Sequence, residues 1–579
     1  MPRRSPGLIL CQGGKMLSRK DIAEGKIERV DYPNRGRFTA PSGQHVTVKN
    51  VIPGQTVRFR IFKKHGDRVE GRLIEVLEKS EIETRQPVCS IFPDCGGCLY
   101  QTVPYDMQLE IKKKQIGELL SSVTEEETIF DGIKASPSEF GYRNKMEFSF
   151  GDAEPGGPLT LGLHKKGTTY DVLTADSCRL VHSDMDKILR TTLDYCTLRG
   201  FVQYNKRLHT GYLRFLLIRR SEASGELLIY LITSKELLPD FHPWAEELLH
   251  LPLQGRIAGI FHAEDDNPAD RIETETVHEL FGRDWFIEKL LGMQFKVTAF
   301  SFFQTNTKGA EVLYETVRSY VREAFDASPF RSSVNDSRTE SDIRKPVIFD
   351  LYSGTGTIAQ MLSPCARHVY GIELVEEAVE AAKENAALNG IENCTFLAGD
   401  VLAMLPEIQE KPDFIVLDPP REGIVPKALE KIISYGVDRM IYISCKASSF
   451  WKDMQLLKQY GWRIERYTLV DLFPATQHVE TVVQLVLRES PVHINIDVDV
   501  EELVQDKRGQ ATYPQIKEYV LEHSGLKVSS LYSAQVKQKC GIIERKNYNK
   551  PKSEDSRQPI CPSEKEAAIK EALEYFGMN

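Results

Sequence analysis

Residues 347–357 read VIFDLYSGTGT, a short apolar segment that runs directly into a loop with two glycines. The apolar run predicts a buried β-strand, and the segment IAQMLSP that follows predicts a helix. Glycines at the carboxyl end of a strand let a ligand approach the backbone. A GxG loop alone is a weak signal, because many tight turns contain one, so the neighbouring strands decide the fold.

Four more apolar segments follow this strand, and amphipathic helical segments separate them. This alternation, which continues to about residue 489, is typical of a largely parallel α/β sheet. The predicted strands after the first are residues 368–373, 395–400, 413–418 and 440–445.

Two of these strands end in acids that suit a nucleotide. Glu373 lies 19 residues after Gly354, where α/β nucleotide-binding folds place a carboxylate that accepts from ribose hydroxyls. A solvated acid at a strand end would have the same pattern. The third glycine of the dinucleotide motif is absent, so an adenosine-containing cofactor such as S-adenosylmethionine fits better. Asp400 could reach an adenine amino group, cap a helix, or do both.

The last two strands end in a carboxylate and a thiol. Asp418 begins an Asp-Pro-Pro-Arg turn at residues 418–421, in which the prolines fix the backbone. Cys445 lies at the carboxyl end of its strand, the edge at which open α/β sheets bind ligands. From position alone Cys445 is either a nucleophile or a buried apolar cysteine, which is the commoner role of a cysteine on a strand.

A second cysteine group indicates a metal centre. Cys89, Cys95 and Cys98 lie within ten residues, with two glycines between the last two. Four ligands are needed, and Cys178 is the nearest later cysteine. The spacing suits either an iron–sulfur cluster or a tetrahedral zinc ion. A disulfide is not expected without a secretory signal.

The rest of the chain divides by composition. Residues 16–80 contain short β segments with turns between them and predict a small OB-like barrel. Its stretch 58–79 has a net charge of +3, which indicates either a solvated surface or a nucleic-acid surface. Residues 81–300 have a mixed α+β pattern, residues 326–346 form a polar loop, and residues 491–579 form a small helical extension.

The overall composition gives fewer constraints. The 579 residues carry a net charge of −9, which argues weakly against a general nucleic-acid binder. No apolar run reaches the roughly 20 residues of a membrane span. The apolar run near the start is too short for a signal peptide. We expect a cytoplasmic protein with no membrane contact, and a monomer.

Taken together in order, the motifs resemble those of the S-adenosylmethionine-dependent RNA uracil-5-methyltransferases. The branch of this family that the chain resembles carries a TRAM barrel and an iron–sulfur cluster, and it methylates large-subunit ribosomal RNA. The resemblance spans roughly residues 16–489. It rests on the predicted barrel together with CSIFPDCGGC (89–98), FFQTNT (302–307), DLYSGTGTIA (350–359), GIELVEEAV (371–379), DPPREGI (418–424), SCKASSF (444–450) and DLFPATQHVE (471–480).

The resemblance implies roles for individual residues. Cys445 corresponds to the nucleophile and Glu480 to the general base. The positions that bind S-adenosylmethionine fall on Gln304, Tyr352, Glu373 and Asp418, and less firmly on Thr357 and Asp400, where residue types vary in the family. Ligands of a 4Fe–4S cluster fall on Cys89, Cys95, Cys98 and Cys178.

The implied fold is a multidomain α/β protein. It comprises a TRAM barrel at 16–80, a central cluster-bearing α+β domain at 81–300, a Rossmann-like class I methyltransferase domain at 301–489 and the extension at 491–579. The implied partner is RNA, with ribosomal RNA as the expected substrate.

Two alternatives remain open, a transfer-RNA uracil-5-methyltransferase and a non-catalytic RNA-binding assembly factor. One departure bears on the second. The family often has Asn-Pro after the nucleophilic cysteine, and this chain has Lys446 and Ala447.

Overall fold

The computed structural model contains two compact units, Met1–Glu489 and Ser490–Asn579. The polar loop predicted at 326–346 lies almost entirely outside the described residues. No helix in the described ranges is long and apolar enough to cross a membrane. The described residues are 8–10, 16–236, 239–268, 271–274, 276–326, 345–488, 513–524, 526, 528–540 and 561–576.

The first unit begins with a seven-stranded sheet. Its strands are β1 (Leu8–Leu10), β2 (Ile22–Lys26), β3 (Arg29–Asp31), β4 (Arg35–Thr39), β5 (His45–Lys49), β6 (Thr56–His65) and β7 (Arg68–Glu78). Alternating apolar side chains bury one face, with Phe38, Val46 and Phe59 in its core, because successive side chains of a strand point to opposite faces.

This sheet differs from the predicted barrel in one respect. The strand order is β1-β2-β6-β7-β5-β4-β3, and no hydrogen-bonded ladder in the described part of the chain joins β1 to β3. A closed barrel is therefore not found. Alternation of apolar residues determines which face is buried, but closure depends on strand tilt and stagger, which the pattern does not specify.

The chain continues with α1 (Tyr105–Leu120) and β8 (Ile129–Lys134) and then forms a second seven-stranded sheet. The order of this sheet is β11-β10-β9-β12-β13-β14-β15. Helices α2 (Ser183–Leu198) and α3 (His242–Leu249) contribute Ile188 and Trp244 to its core. The strands are β9 (Lys145–Asp152), β10 (Leu159–His164), β11 (Val172–Thr174), β12 (Leu213–Arg220), β13 (Glu226–Thr233), β14 (Arg256–Glu264) and β15 (Thr276–Gly282).

A hairpin and a long helix lead to the third sheet. The hairpin is β16 (Trp285–Leu290) and β17 (Met293–Thr298), and α4 (Thr307–Asp326) follows it. The third sheet contains the predicted parallel strands in the predicted order along the chain. They are β18 (Val347–Leu351), β19 (His368–Glu373), β20 (Cys394–Ala398), β21 (Phe414–Leu417) and β22 (Arg439–Ser444).

The eight-stranded order of this sheet is completed by three further strands. They are β23 (Trp462–Val470), β24 (Glu480–Leu487) and β8, in the order β20-β19-β18-β21-β22-β24-β23-β8. Strand β24 runs antiparallel to both of its neighbours. Strand β8 pairs with β23, so the sheet takes an edge strand from residues far upstream in the chain.

Helices connect the parallel strands, and apolar residues of both sheet faces form large cores. Since β18 to β22 are parallel, their carboxyl ends lie at one edge of the sheet, where ligands bind in such folds. The helices are α5 (Thr357–Leu362), α6 (Glu376–Leu388), α7 (Val401–Met404), α8 (Pro426–Ile433) and α9 (Ala447–Gln459).

The second unit is helical in its described residues. Its helices are α10 (Tyr513–Ser524), α11 (Ser530–Lys539) and α12 (Ser563–Tyr575). They pack around a small apolar core that includes Ile516, Val536 and Ile569. These three helices lie within the segment 491–579 for which the sequence predicts a small helical extension.

Candidate active site

A cavity of about 1960 Å³ lies at the carboxyl ends of the parallel strands. The structure brings every predicted catalytic and cofactor residue to its walls, and it reaches the glycines between Cys95 and Cys98. The predicted residues that line it are Gln304, Tyr352, Thr357, Glu373, Asp400, Asp418, Cys445 and Glu480.

The glycine loop forms one wall of the cavity. Gly356 has a φ of 73°, and a Cβ atom there would lie 2.7 Å from the Phe396 ring and 2.8 Å from Ala382. Only glycine fits this position without displacement of the core. Tyr352 also adopts a left-handed conformation, with a φ of 69°, at the point where the chain leaves β18. Thr357, the next residue after Gly356, is the first residue of α5 and is buried.

Glu373 is held rigidly beside this loop. One carboxylate oxygen accepts from the Gly354 N–H at 2.9 Å, and the other accepts from the Val375 N–H at 3.0 Å. Each oxygen keeps a lone pair that can accept another hydrogen bond. The side chain is therefore oriented before any ligand binds, as a carboxylate that binds a pair of ribose hydroxyls requires.

Asp400 and Gln304 are also held by hydrogen bonds. Asp400 caps α7 by accepting from the Leu402 N–H at 2.9 Å, which is one of the two roles proposed from the sequence. The backbone carbonyl of Gln304 accepts from Asn144 Nδ2 at 2.9 Å. These contacts fix the Asp400 side chain and the Gln304 backbone at the cavity wall.

Cys445 lies directly after β22 and is half-buried. The pKa of its thiol is raised to about 11, chiefly by burial and then by the charges of Glu480 and Asp418, and Arg421 opposes the shift. The thiol is thus protonated near neutral pH in this site. A nearby positive charge would favour the thiolate, which is the nucleophilic form of cysteine.

Two carboxyl groups share this end of the cavity. Glu480, the first residue of β24, is 4% exposed, and burial raises its pKa to about 8, with Asp418 adding to the shift and Arg421 opposing it. Burial also raises the pKa of Asp418 to about 7. Groups that titrate near neutral pH can both accept and release a proton. The arrangement provides a thiol and proton-transfer groups at one end of the cavity, with the rigid carboxylate of Glu373 on its wall.

Comparison with known proteins identifies the family. A family model described as a methyltransferase domain matches residues 344–513. A protein of Clostridium tetani named as an uncharacterized RNA methyltransferase is 42% identical over 464 residues, which cover 80% of this chain and 97% of that protein. The chain belongs to the RNA methyltransferase family. A relative with a similar name from Caldanaerobacter subterraneus subsp. tengcongensis is 42% identical over 467 residues, 80% of this chain and 99% of that protein.

A solved structure shows the same fold. The methyltransferase resembles the Pyrococcus abyssi tRNA (uracil-54, C5)-methyltransferase in complex with S-adenosyl-L-homocysteine, with a TM-score of 0.59 and 21% identity. The match covers 80% of this chain and 100% of that chain. The class I methyltransferase-like α/β fold predicted from the sequence is confirmed.

Several supporting residues of this methyltransferase carry no sequence signal. Asp453 of α9 accepts from the Tyr442 hydroxyl at 2.6 Å and from the Ile424 N–H at 2.9 Å. Ser449 Oγ donates to the Arg421 carbonyl at 2.6 Å. Helix α9, which follows Cys445, is thereby tied to the turn that follows Asp418. An acid within an amphipathic helix would ordinarily be assigned to the surface.

The loop that precedes Glu480 is held by residues from a distant part of the methyltransferase. Lys112 of α1 donates to Asp471 Oδ1 at 2.7 Å and to the Phe473 carbonyl at 3.1 Å. The Leu99 and Tyr100 N–H groups, which follow Cys98, donate to the Ala475 carbonyl at 2.8 and 3.0 Å. The loop that contains Cys89, Cys95 and Cys98 and the loop that precedes Glu480 are therefore hydrogen-bonded to each other.

The four cysteines of the predicted metal centre are buried and free of disulfides. The pKa of Cys178 is raised to about 12, chiefly by burial and in part by the charges of the other three thiols, which places all four within electrostatic range. The Gly97 N–H approaches Cys95 Sγ at 3.4 Å. In the part of the chain that the structure describes, no group of three or more His, Cys, Asp or Glu residues is arranged to hold a metal ion.

Two other residues near the reactive end were not predicted. His478 lines the cavity, and its pKa is lowered to about 4 by burial and by nearby cations, chiefly Arg421, so its imidazole is neutral near pH 7. Tyr32, from the turn between β3 and β4, packs against the apolar core that contains Ala447 and Val479, and burial raises its pKa to about 12, with the charges of Cys445 and Glu480 adding to the shift. No motif marks Tyr32, because its contact with the site arises only in the folded chain.

Proposed function

We propose that this methyltransferase transfers a methyl group from S-adenosylmethionine to carbon 5 of a uridine in large-subunit ribosomal RNA. The observation that carries the proposal is the presence of Cys445 and Glu480 in the cavity that also contains Glu373 and the glycine loop. A methyltransferase that acts on oxygen or nitrogen has no need of a thiol nucleophile, whereas carbon 5 of uracil requires one.

The chemistry explains why a thiol is needed. Carbon 5 is a poor nucleophile, and attack of the Cys445 thiolate on carbon 6 converts the ring to an enolate in which carbon 5 is electron-rich. S-adenosylmethionine supplies an electrophilic methyl group on a positively charged sulfur. Carbon 5 takes this methyl group as its bond to sulfur breaks, which leaves neutral S-adenosylhomocysteine, and Glu480 then removes the proton from carbon 5. The electron pair of that C–H bond forms the double bond between carbons 5 and 6 and expels the Cys445 thiolate.

The charges of the site agree with this order of reaction steps. Cys445, Glu480 and Asp418 all have raised pKa values, so the empty site disfavours negative charge. A cationic ligand beside them would lower all three values. Under the proposal, binding of the methyl donor favours both the thiolate that attacks and the carboxylate that accepts the proton.

The cofactor assignments follow from the same wall of the cavity. Glu373 would accept from the ribose hydroxyls, Asp400 would face the adenine amino group, and Tyr352 and Thr357 would contact the cofactor at the glycine loop. Gln304 and Asp418 would hold its methionine end beside Cys445. The matched methyltransferase domain model supports an S-adenosylmethionine site, as does the S-adenosyl-L-homocysteine in the Pyrococcus complex.

A 4Fe–4S cluster held by Cys89, Cys95, Cys98 and Cys178 is part of the proposal. The proposal is supported by the resemblance and by four buried thiols that influence one another's pKa; in the described residues these thiols are not arranged to hold a metal ion. The methyl transfer has no net redox step, so the cluster would have a structural role. It would stabilise the loop after Cys98, whose Leu99 and Tyr100 N–H groups donate to the Ala475 carbonyl. Anaerobically purified protein should be brown, and a colourless zinc-loaded protein would contradict the assignment.

RNA recognition would use surfaces outside the cavity as well. We assign residues 16–80 to a TRAM-like RNA-contacting module, 81–300 to the cluster-bearing domain, 301–489 to the methyltransferase domain and 491–579 to an extension with no assigned role. Phe302 lines the cavity and is 67% exposed, which suits stacking against a base that has left its helix.

The choice of RNA is the least constrained part of the proposal. The choice of ribosomal RNA as substrate rests on the resemblance to the cluster-bearing branch. The fold likeness to a tRNA (uracil-54, C5)-methyltransferase favours transfer RNA as the second candidate. Mapping 5-methyluridine in ribosomal and transfer RNA from a deletion strain distinguishes the two. Loss of the modification from transfer RNA alone would refute the ribosomal assignment.

The catalytic proposal is tested by replacement of the nucleophile. Cys445→Ala should abolish methyl transfer from labelled S-adenosylmethionine to RNA while cofactor binding persists. Full activity in this variant would refute the nucleophile assignment. Absence of turnover in the unaltered protein with any RNA would instead favour a non-catalytic assembly factor.

A further inference from the structure

The turn at residues 473–476, in the connection between β23 and β24, contains a strained residue. Ala475 is fully buried and has a φ of 63°. Residues with a Cβ atom adopt this left-handed conformation only where surrounding contacts hold them in it. Glu480 is the first residue of β24, so the path of this connection helps to set the direction from which its side chain enters the cavity.

A buried glutamine meets the N–H of the strained residue. Gln108 of α1 is fully buried, and its Oε1 accepts from the Ala475 N–H at 2.8 Å. Its Nε2 donates to the Tyr100 carbonyl at 3.2 Å and to the Val103 carbonyl at 2.9 Å. An N–H on one side and two carbonyls on the other require a side chain that both accepts and donates, which glutamine does without a buried charge. Gln108 thus joins the strained turn to the segment that follows Cys98.

The other backbone groups of the turn are held from further segments. Tyr142, which is buried, donates from its hydroxyl to the Pro474 carbonyl at 3.0 Å. The Ala475 carbonyl accepts from the Leu99 and Tyr100 N–H groups at 2.8 and 3.0 Å. Because proline has no N–H, these bonds and the one from the glutamine satisfy every backbone polar group of the two residues.

The segment between this turn and Glu480 is short and internally bonded. Thr476 Oγ1 donates to the Phe473 carbonyl at 2.8 Å. The same hydroxyl accepts from the His478 N–H at 3.2 Å. A shift of the turn would therefore move this braced segment as well, and with it the residue at the start of β24.

We propose that Gln108 and Tyr142 are positioning residues, which hold the turn at 473–476 and thereby orient the Glu480 carboxyl toward carbon 5 of the bound base. The inference rests on the proposed function, in which Glu480 accepts the carbon 5 proton while the Cys445 thiolate leaves. In the described part of the chain, neither positioning residue is among those that line the cavity, so both act through the turn. Since the base acts after methyl transfer, loss of either residue should slow the second half of the reaction and spare the first.

Variants of similar shape separate this role from a general effect on folding. Gln108→Met keeps an unbranched side chain of similar length and leaves the Ala475 N–H without its acceptor. Tyr142→Phe keeps the ring and leaves the Pro474 carbonyl without its donor. Gln115→Met is the matched control, because Gln115 is also buried on α1 and its Nε2 makes no hydrogen bond within the described residues.

The measurement is a single-turnover reaction with methyl-labelled S-adenosylmethionine, quenched at intervals and separated on a denaturing gel. The gel distinguishes the covalent RNA–protein adduct from released methylated RNA, and so gives the rates at which the adduct forms and resolves. Gln108→Met should slow resolution about tenfold, as expected for a buried N–H left without a partner, and Tyr142→Phe should slow it about threefold. Adduct formation and the dissociation constant for S-adenosylmethionine should stay within about twofold in both variants. Gln115→Met should match the unaltered protein.

A purely structural role would lower the fraction of active protein, which reduces the amount of adduct formed but not the rate at which it resolves. Resolution at the unaltered rate in folded Gln108→Met, or an equal slowing of formation and resolution, would overturn the inference. If Gln108→Met does not fold, an unchanged resolution rate in Tyr142→Phe would overturn it. Failure of the proposed function is distinguishable, because the unaltered protein would then form neither the adduct nor 5-methyluridine with any RNA.

Discussion

Replacement of Lys112 by methionine should destabilise the protein more than a surface substitution of the same kind. Lys112 is 1% exposed and forms an ion pair at 2.7 Å with Asp471, which is fully buried. It also donates to the Phe473 carbonyl at 3.1 Å. Burial lowers the pKa of Lys112, and Asp471 opposes that shift. The pair anchors the start of the loop that leads to Glu480.

The expected magnitude follows from the geometry. In Lys112→Met, Asp471 becomes a buried charge that keeps the Phe473 N–H on one oxygen. Its other oxygen, Oδ2, already has no partner among the described residues. Removal of one member of a buried ion pair typically costs about 3–5 kcal/mol. Lys113, the next residue, is 43% exposed in its pair with Glu110, and Lys113→Met should stay within about 0.5 kcal/mol.

Urea unfolding of the unaltered protein and the two variants, followed by circular dichroism, measures the difference. Lys112→Met should lower the unfolding midpoint clearly below that of Lys113→Met. Because the buried charge causes the loss, Lys112→Met/Asp471→Asn should recover most of it. Equal midpoints for Lys112→Met and Lys113→Met, or no recovery in the double variant, would refute this account of the pair.

Two further predictions concern the cofactor cavity. The pKa of Glu480 is about 8 and that of Asp418 is about 7, so both carboxyls become protonated as the pH falls. The affinity for cationic S-adenosylmethionine should therefore weaken, by up to about tenfold for each pH unit below 8. The affinity for S-adenosylhomocysteine, whose sulfur is neutral, should weaken less in calorimetric titrations. An identical pH dependence of the affinities for the two ligands would contradict the assigned charges. Glu373→Gln places an amide N–H₂ against the Gly354 or Val375 N–H and should weaken cofactor binding at least about tenfold. An unchanged dissociation constant, with exposed Glu392→Gln as the control, would exclude Glu373 from the cofactor site.

The sequence predicted the parts of the fold that depend on local patterns. The sequence predicted five parallel strands, the helix after the glycine loop and the cap at Asp400, because apolar periodicity and capping chemistry involve residues that are close in the chain. The convergence of Tyr352, Glu373 and Cys445 on one cavity also followed, since parallel strands place their carboxyl ends together.

The parts that the sequence did not predict depend on contacts between distant segments. Strand β8 joins the edge of the third sheet, Lys112 pairs with Asp471, and Tyr32 packs against the core of that sheet, each across hundreds of residues. None of these residues differs locally from an ordinary surface or strand residue. The predicted OB-like barrel is not found closed in the described residues for the same reason, because pairing of edge strands is set by tertiary geometry and not by alternation.

Lys446 and Ala447 replace the Asn-Pro that often follows the nucleophile in the family, and the structure suggests how the change is accommodated. The Lys446 N–H donates to Ser444 Oγ at 3.2 Å, and Ala447 is the first residue of α9, a position at which proline is also well tolerated. The loop after Cys445 therefore enters its helix in an ordered conformation with different residues.

The most direct test of the central proposal is the fate of the covalent intermediate in Glu480→Gln. Glutamine cannot remove the carbon 5 proton, so the methylated uracil should stay bonded to Cys445. Incubation with RNA and S-adenosylmethionine should then give an RNA–protein adduct that survives a denaturing gel and maps by mass spectrometry to the Cys445 peptide. The adduct should be absent from Cys445→Ala/Glu480→Gln. Only free protein from an otherwise folded, cofactor-binding Glu480→Gln variant would contradict the assignment of Glu480 as the base.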